Sequence, residues 1–211
     1  MANDHEYAIL GGLNRARIGQ AIGAIASLVS AAIVAVVLAL FNVATWMGIG
    51  DAVPPVILIP VGAGAVYSVL YWLFDRHVWK MPLVARWSRV PDLSGRWRCE
   101  GRTIASDTSV GREWLADVAI VQSWDRIRLR LRTAQSASNS ITASLVHDPA
   151  DGFRLIYSYR NDPKIGEAEL DSHLGFAELL FAPDLLSAQG EYFNGHGRYT
   201  FGTLQLTKEN G

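Results

Sequence analysis

From Ile18 to Gly50 the chain carries no charged residue, and from Ala52 to Phe74 it again carries none; Asp51 alone divides the two runs. About 20 apolar residues suffice to span the hydrocarbon core of a bilayer. The pattern predicts a two-helix transmembrane hairpin over 18–74. A cleaved signal peptide does not fit, because the first run exceeds a signal h-region and a second span follows at once. Arg15 and Arg17 precede the first run, Arg76, Lys80, Arg86 and Arg89 follow the second, and the intervening loop, roughly Asn42 to Pro55, has no Lys or Arg. The positive-inside rule then places both termini in the cytoplasm of a multi-pass inner-membrane protein. A single cysteine, Cys99, forms no intrachain disulfide and agrees with a reducing compartment.

Within the first span, small residues recur every fourth position: Gly19, Gly23, Ser27, Ala31, Ala35 and Ala39. Such a ridge lets helix backbones approach closely in lipid. It serves either packing against the second span of the same chain or assembly between chains. The second span holds Pro54, Pro55 and Pro60, which suit a helix start and a kink. Neither span holds an ionisable residue, which speaks against a pump or proton relay.

Past Asp92 the pattern changes to short alternating runs. Eight strands are expected, roughly 95–103, 113–124, 126–133, 140–147, 153–160, 173–181, 186–193 and 198–207, separated by turn signals such as "DPADG" and "NGHG". The expected organisation is a tail over 1–17, the hairpin over 18–74, a linker over 75–91 and an all-β domain over 92–208. Eight antiparallel up-and-down strands suit a lipocalin-like barrel, which removes exposed edges and is wide enough for one small ligand. A two-sheet sandwich is the alternative. From Asp75 onward there are 17 Lys and Arg against 17 Asp and Glu, so the domain lacks the basic footprint that DNA or RNA polymers need.

Up-and-down order sorts residues by barrel end. The first strand starts at the closed end, with Gly95 and Trp97 as its plug. The open end then collects Thr133, Ser138, Ser140, Tyr157, Tyr159, Asn161, His173, Tyr192, Asn194 and Arg198. Parity agrees: Tyr157 and Tyr159 share a face with Phe153 and Leu155, His173 with Ala177, Leu179 and Phe181, and Arg198 with Leu204 and Leu206. Tyrosines stack on bases and arginine pairs with phosphate, so this set suits a planar, anionic ligand. The same residues could instead simply close the mouth.

The ordered segments "PDLSGRWRCEG", "VAIVQSW", "RLRTAQSASNS", "LIYSYRNDPK", "HLGFAELLF" and "GEYFNGHGRYTFG", preceded by two spans, resemble the two-transmembrane β-barrel effectors of bacterial CBASS anti-phage systems. The resemblance covers nearly the whole chain. It implies that a CD-NTase cyclase makes a cyclic oligonucleotide second messenger, commonly a cyclic dinucleotide, which the barrel binds. It implies further that the effector then forms a homo-oligomer and its spans disrupt the lipid bilayer, killing the infected cell. No cofactor and no catalysis are implied.

Two rivals were weighed. His147, His173, His196, Asp148 and Asp171 show no metal-type spacing, and no nucleophile–base arrangement emerges from the sequence. A membrane-tethered carrier of a small apolar ligand is the other. Finally, "RIRLRLRT" at 126–133 alternates strictly. Ile127, Leu129 and Leu131 belong inside with Thr133, so Arg126, Arg128, Arg130 and Arg132 point outward. They face solvent or the acidic side chains of a neighbouring barrel.

Overall fold

The computed structural model describes residues 4–48, 62–104, 110–166, 171–195 and 199–209. The chain divides into two units, Met1–Gly12 with Trp79–Gly211, and Leu13–Val78.

The second unit is helical. Asn14 caps helix α1 (Arg15–Trp46) by accepting the Ala16 N–H at 2.8 Å. At about 1.5 Å per residue, its 32 residues run about 48 Å, longer than a hydrocarbon core. Helix α2 (Ala63–Arg76) has 14 residues, about 21 Å, too short to cross by itself. The earlier part of the expected second span, with its three prolines, lies outside the described residues. α1 packs on α2, and its buried row is Ile18, Ile22, Ala26 and Ser30. The small-residue ridge runs one position beside that row. Gly19 and Gly23 are half-buried, whereas Ser27, Ala31, Ala35 and Ala39 are exposed.

The first unit is all-β apart from a turn at Val78–Lys80 and the short helix α3 (Pro82–Ser88), which occupy the expected linker. Eight strands fall close to expectation: β2 (Gly95–Ile104), β3 (Val110–Gln122), β4 (Arg126–Arg132), β5 (Ser136–Asp148), β6 (Gly152–Pro163), β7 (His173–Phe181), β8 (Ser187–Asn194) and β9 (Phe201–Lys208). Each pairs antiparallel with its sequence neighbour, and β2 pairs with β9.

The expectation of eight strands and of a tail over 1–17 is corrected here. His5–Leu10 is a ninth strand, β1, inserted between β4 and β5. The reason lies in the β4–β5 hairpin. It pairs directly only at Arg130–Asn139, Leu131–Ser138 and Arg132–Ala137. Beyond these pairs the strands splay. β1 fills the gap, antiparallel to β4 at His5–Ile127 and Glu6–Arg126, and parallel to β5 from Tyr7–Ala143 to Leu10–Val146. Tyr7 is buried, and Asp4 pairs with Arg128 at 3.3 Å. The nine-stranded sheet thereby closes on itself.

Inside, the closed end is solid. Trp97, Cys99, Leu155, Leu179, Phe181 and Leu206 are buried. Trp97 meets Phe181 edge-on at 5.5 Å, donates its indole N–H to the Leu93 carbonyl at 3.1 Å, and has Lys208 over its ring. Gly95 sits at φ +136°, where a side chain is strained, so the Gly-x-Trp entry has a conformational reason. Gln122 ties this end together: its side-chain oxygen accepts the Leu93 N–H, and its amide donates to the Pro91 carbonyl and the Tyr7 hydroxyl.

Asp92 anchors the strand entry. It accepts from the Ser94 N–H at 3.0 Å and the Ser94 hydroxyl, and pairs with Lys80 at 3.1 Å. Burial acts to raise its carboxyl, but the Ser94 and Lys80 contacts outweigh it and hold the group below its usual value. A depressed carboxylate stabilises the fold above its unfolded pKa of about 3.9, and that contribution is lost as pH falls through the lower folded value. Asp92→Asn should therefore lower the melting temperature at pH 7. The gap from the parent should close as pH is brought below about 4 in a thermal-melt series.

Candidate functional site

Toward the open end the inner face changes character. Along β7 the inward residues run Phe181, Leu179, Ala177, Gly175 and His173, so the wall recedes from large apolar to small and then polar groups. A cavity of about 510 Å3 opens there. Thr133, Ser138, Ser140, Tyr157, Tyr159, Asn161, His173 and Tyr192, all singled out by strand order, line it. Arg198 lies outside the described residues.

The mouth is ordered by hydrogen bonds between side chains. Tyr159 donates its hydroxyl to Asn194 Oδ1 at 2.8 Å, and Asn194 Nδ2 donates to Thr200 Oγ1 at 2.8 Å. Ser138 donates to Asn161 Oδ1 at 2.8 Å. Tyr192 shares a hydrogen bond with Thr103 at 2.9 Å. His173 Nδ1 lies 3.0 Å from the Asp171 carbonyl, which can only accept. Nδ1 therefore carries the proton, and in the neutral ring Nε2 is left as an acceptor. Burial, followed by the neighbouring Tyr159 and Cys99, pushes the Tyr157 hydroxyl above its ordinary range, so it stays neutral. The Tyr157 and Tyr159 rings stand 6.0 Å apart with a 48° tilt.

Among the lining residues not singled out by the sequence are Thr103, Arg112 and Trp114. They come from the end of β2 and the start of β3, which the same up-and-down rule sends to the open end. Parity would have added Arg112 and Trp114, which share a face with Ala116, Val118 and Ile120, all buried. Trp114 meets Tyr192 edge-on at 5.8 Å. Arg112 is exposed at the rim and has no carboxylate partner among the described residues, whereas Glu113 pairs with Arg102 at 2.7 Å.

The aromatic groups owe their positions to glycines. Trp114, Tyr159 and Tyr192 stand directly across from Gly101, Gly175 and Gly202 in the register. A Cβ built on Gly101 or Gly175 would overlap the opposing ring, and one on Gly202 would lie 2.9 Å from the Tyr192 ring. A glycine in a strand marks close approach of this kind. Each ring lies over a bare stretch of backbone, which leaves the cavity open beside it.

Cys99 and His147 play no visible chemical part. Burial, then Glu100, pushes the Cys99 thiol up to about 12, far from a reactive thiolate. His147 packs against Phe153 at 4.9 Å, at the far end of β6 from His173. Among the described residues no three His, Cys, Asp or Glu side chains gather to hold a metal.

The aromatic-over-glycine arrangement has a direct test. Gly175→Ala should cost about 1–3 kcal/mol in urea unfolding through overpacking. In a Tyr159→Ala background the same substitution should cost little, and the double-mutant cycle measures the difference.

The chain matches known proteins along nearly its whole length. A family model described as "Cap15, cyclic dinucleotide receptor domain" matches residues 88–208, and one described as "Cap15, TM helices" matches 16–80. The chain is 41% identical over 207 residues to CD-NTase-associated protein 15 of Yersinia aleksiciae, covering 97% of each chain. It is 26% identical over 136 residues to the protein of that name in Staphylococcus schleiferi, covering 64% of this chain and 70% of that one.

Proposed function

The chain belongs to the Cap15 family, as the resemblance to CBASS effectors anticipated, and on that premise we propose that its barrel cavity binds a cyclic dinucleotide at the open mouth. The observation that carries this reading is the juxtaposition, in one cavity, of four aromatic side chains, a ring of hydroxyl and amide groups, and an arginine with no carboxylate partner among the described residues. At about 510 Å3 the cavity falls within the roughly 300–1,000 Å3 typical of small-molecule sites.

Each group has a role by its chemistry. Trp114, Tyr157, Tyr159 and Tyr192 offer faces for base stacking. Thr133, Ser138, Ser140, Asn161 and His173 offer donors and acceptors to base edges and ribose. Arg112 supplies a guanidinium for phosphate, and Arg198, outside the described residues, is proposed for the same role from its chemistry alone. An apolar cargo would make no use of the spare donors and acceptors of this ring, such as His173 Nε2.

Occupancy of the barrel is then proposed to drive assembly of the helices, disruption of the inner membrane and death of the infected cell, with both termini cytoplasmic. The exposed stretch of the small-residue ridge on α1 supports a contact between chains.

The purified chain should show a thermal shift with at least one of the 3′–5′ cyclic dinucleotides of the four RNA bases. No shift with any cyclic di- or trinucleotide would sink the reading. Arg112→Ala should weaken binding by at least about tenfold in calorimetry while the unliganded melting temperature changes little; stacking and charge-assisted contacts are worth about 1–3 kcal/mol each. Tyr159→Ala should weaken it as much but also lower the melting temperature, because its ring is buried and hydrogen-bonded to Asn194. For assembly, Gly23→Leu is a clean probe, since a Cβ at Gly23 meets nothing within 4 Å in the chain. It should leave nucleotide binding intact and abolish toxicity in cells expressing the cyclase. Undiminished toxicity would remove the ridge from the mechanism.

A further inference from the structure

β1 reaches the wall of the cavity through His5. His5 Nε2 lies 2.7 Å from the hydroxyl of Ser140, a buried residue lining the cavity. His5 Nδ1 lies 3.0 Å from the Glu6 carbonyl, an obligate acceptor, so in the neutral ring Nδ1 donates and Nε2 accepts. The Ser140 hydroxyl hydrogen therefore goes to His5. Its oxygen also accepts the Leu129 N–H at 2.9 Å. The hydroxyl stands at the apex of the seam, where β4 and β5 stop pairing and β1 begins, and there a ligand group would compete for it.

The two sides of the seam are unequal. β1 pairs with β5 at four residues but with β4 at only two, His5 and Glu6. The Asp4–Arg128 pair reinforces that weaker side. His5 holds the hydroxyl of Ser140 on β5, which in turn accepts from Leu129 of β4, so Ser140 ties the start of β1 to both neighbours. At its other end β1 leads through Gly11 and Gly12 to Asn14, the cap of α1. The strand that completes the cavity wall is thus also the chain segment that enters the apolar helix.

We propose that β1 is a releasable strap: a ligand that takes the Ser140 hydroxyl from His5 loosens the start of β1 from the β4–β5 seam and so passes cavity occupancy to the start of α1. The inference rests on the reading of the cavity as a nucleotide site. Coupling of this kind is reciprocal, so whatever weakens the strap strengthens ligand binding.

Amide hydrogen exchange on the full chain in lipid nanodiscs tests it, with and without the cyclic dinucleotide giving the largest thermal shift. The strap predicts that amides of β6 and β7 around the cavity gain protection while those of His5–Glu6 and Ile127 exchange at least about fivefold faster. Protection gained at the cavity with β1 unchanged or slowed would overturn the strap and leave the ligand site standing. No protection anywhere would overturn the ligand site, and the strap with it. Independently, His5→Ala should bind the same nucleotide about fivefold more tightly; equal or weaker binding counts against the strap. A disulfide between Glu6→Cys and Arg126→Cys, which are register partners, should weaken nucleotide binding severalfold and, even at saturating nucleotide, stop nucleotide-dependent dye release from liposomes until reduced. Dye release by the oxidised form would again overturn it.

Discussion

Everything in the barrel depends on one seam being filled. A curled sheet that fails to close leaves two rows of backbone N–H and C=O groups, each a template for aggregation and each costly if buried unpaired. The direct β4–β5 ladder ends after three residue pairs. Without β1, the inner halves of both strands would face one another across a gap wide enough for a strand. Tyr7 completes the closure, buried beneath a network with Gln122 and the Ser123 carbonyl. The sheet is thus closed by a segment more than 100 residues distant in sequence from its partners.

Closure at the seam lets the interior be divided between stability and binding. The closed half is packed with Trp97, Phe181 and leucines, and large-to-small changes there would cost about 2–5 kcal/mol each. The open half trades that packing for space. Its aromatic rings are not stacked into the core but laid over glycines and held by hydrogen bonds at their rims, as in the Tyr159–Asn194–Thr200 chain. Rings held by both backbone and hydrogen bonds are pre-organised, which reduces the ordering cost of binding.

Much of this was legible from period-two alternation, because each strand carries large apolar groups on one face and charged groups on the other. Eight strands and nine of the ten mouth residues followed from parity and up-and-down order; the tenth, Arg198, lies outside the described residues. Two features were not legible. "HEYAIL" is a short run beside a far stronger membrane signal, and nothing local in it announces pairing with residues 126–146. The glycine partners were hidden for a different reason. Gly101, Gly175 and Gly202 acquire meaning only from register, and register between strands is not written in either strand alone. Arg112 and Trp114 were within reach of the same rule and were missed because it was applied to the later strands only.

The arginine strand shows how such a wall resolves an ambiguous pattern. Ile127 and Leu129 are buried and Leu131 lines the cavity, so Arg126, Arg130 and Arg132 face outward and exposed. Arg128 alone is drawn into a pair, with Asp4. Surface pairs of this kind contribute about 0–1 kcal/mol, so the four arginines do not hold the barrel together. Their like charge instead disfavours edge-to-edge pairing of two β4 strands, a hazard at the one place in the sheet where an edge is covered by only two residue pairs. A basic outer face on β4 is therefore what a seam strand with a weak side requires, while Arg112 stands apart from it at the rim of the cavity.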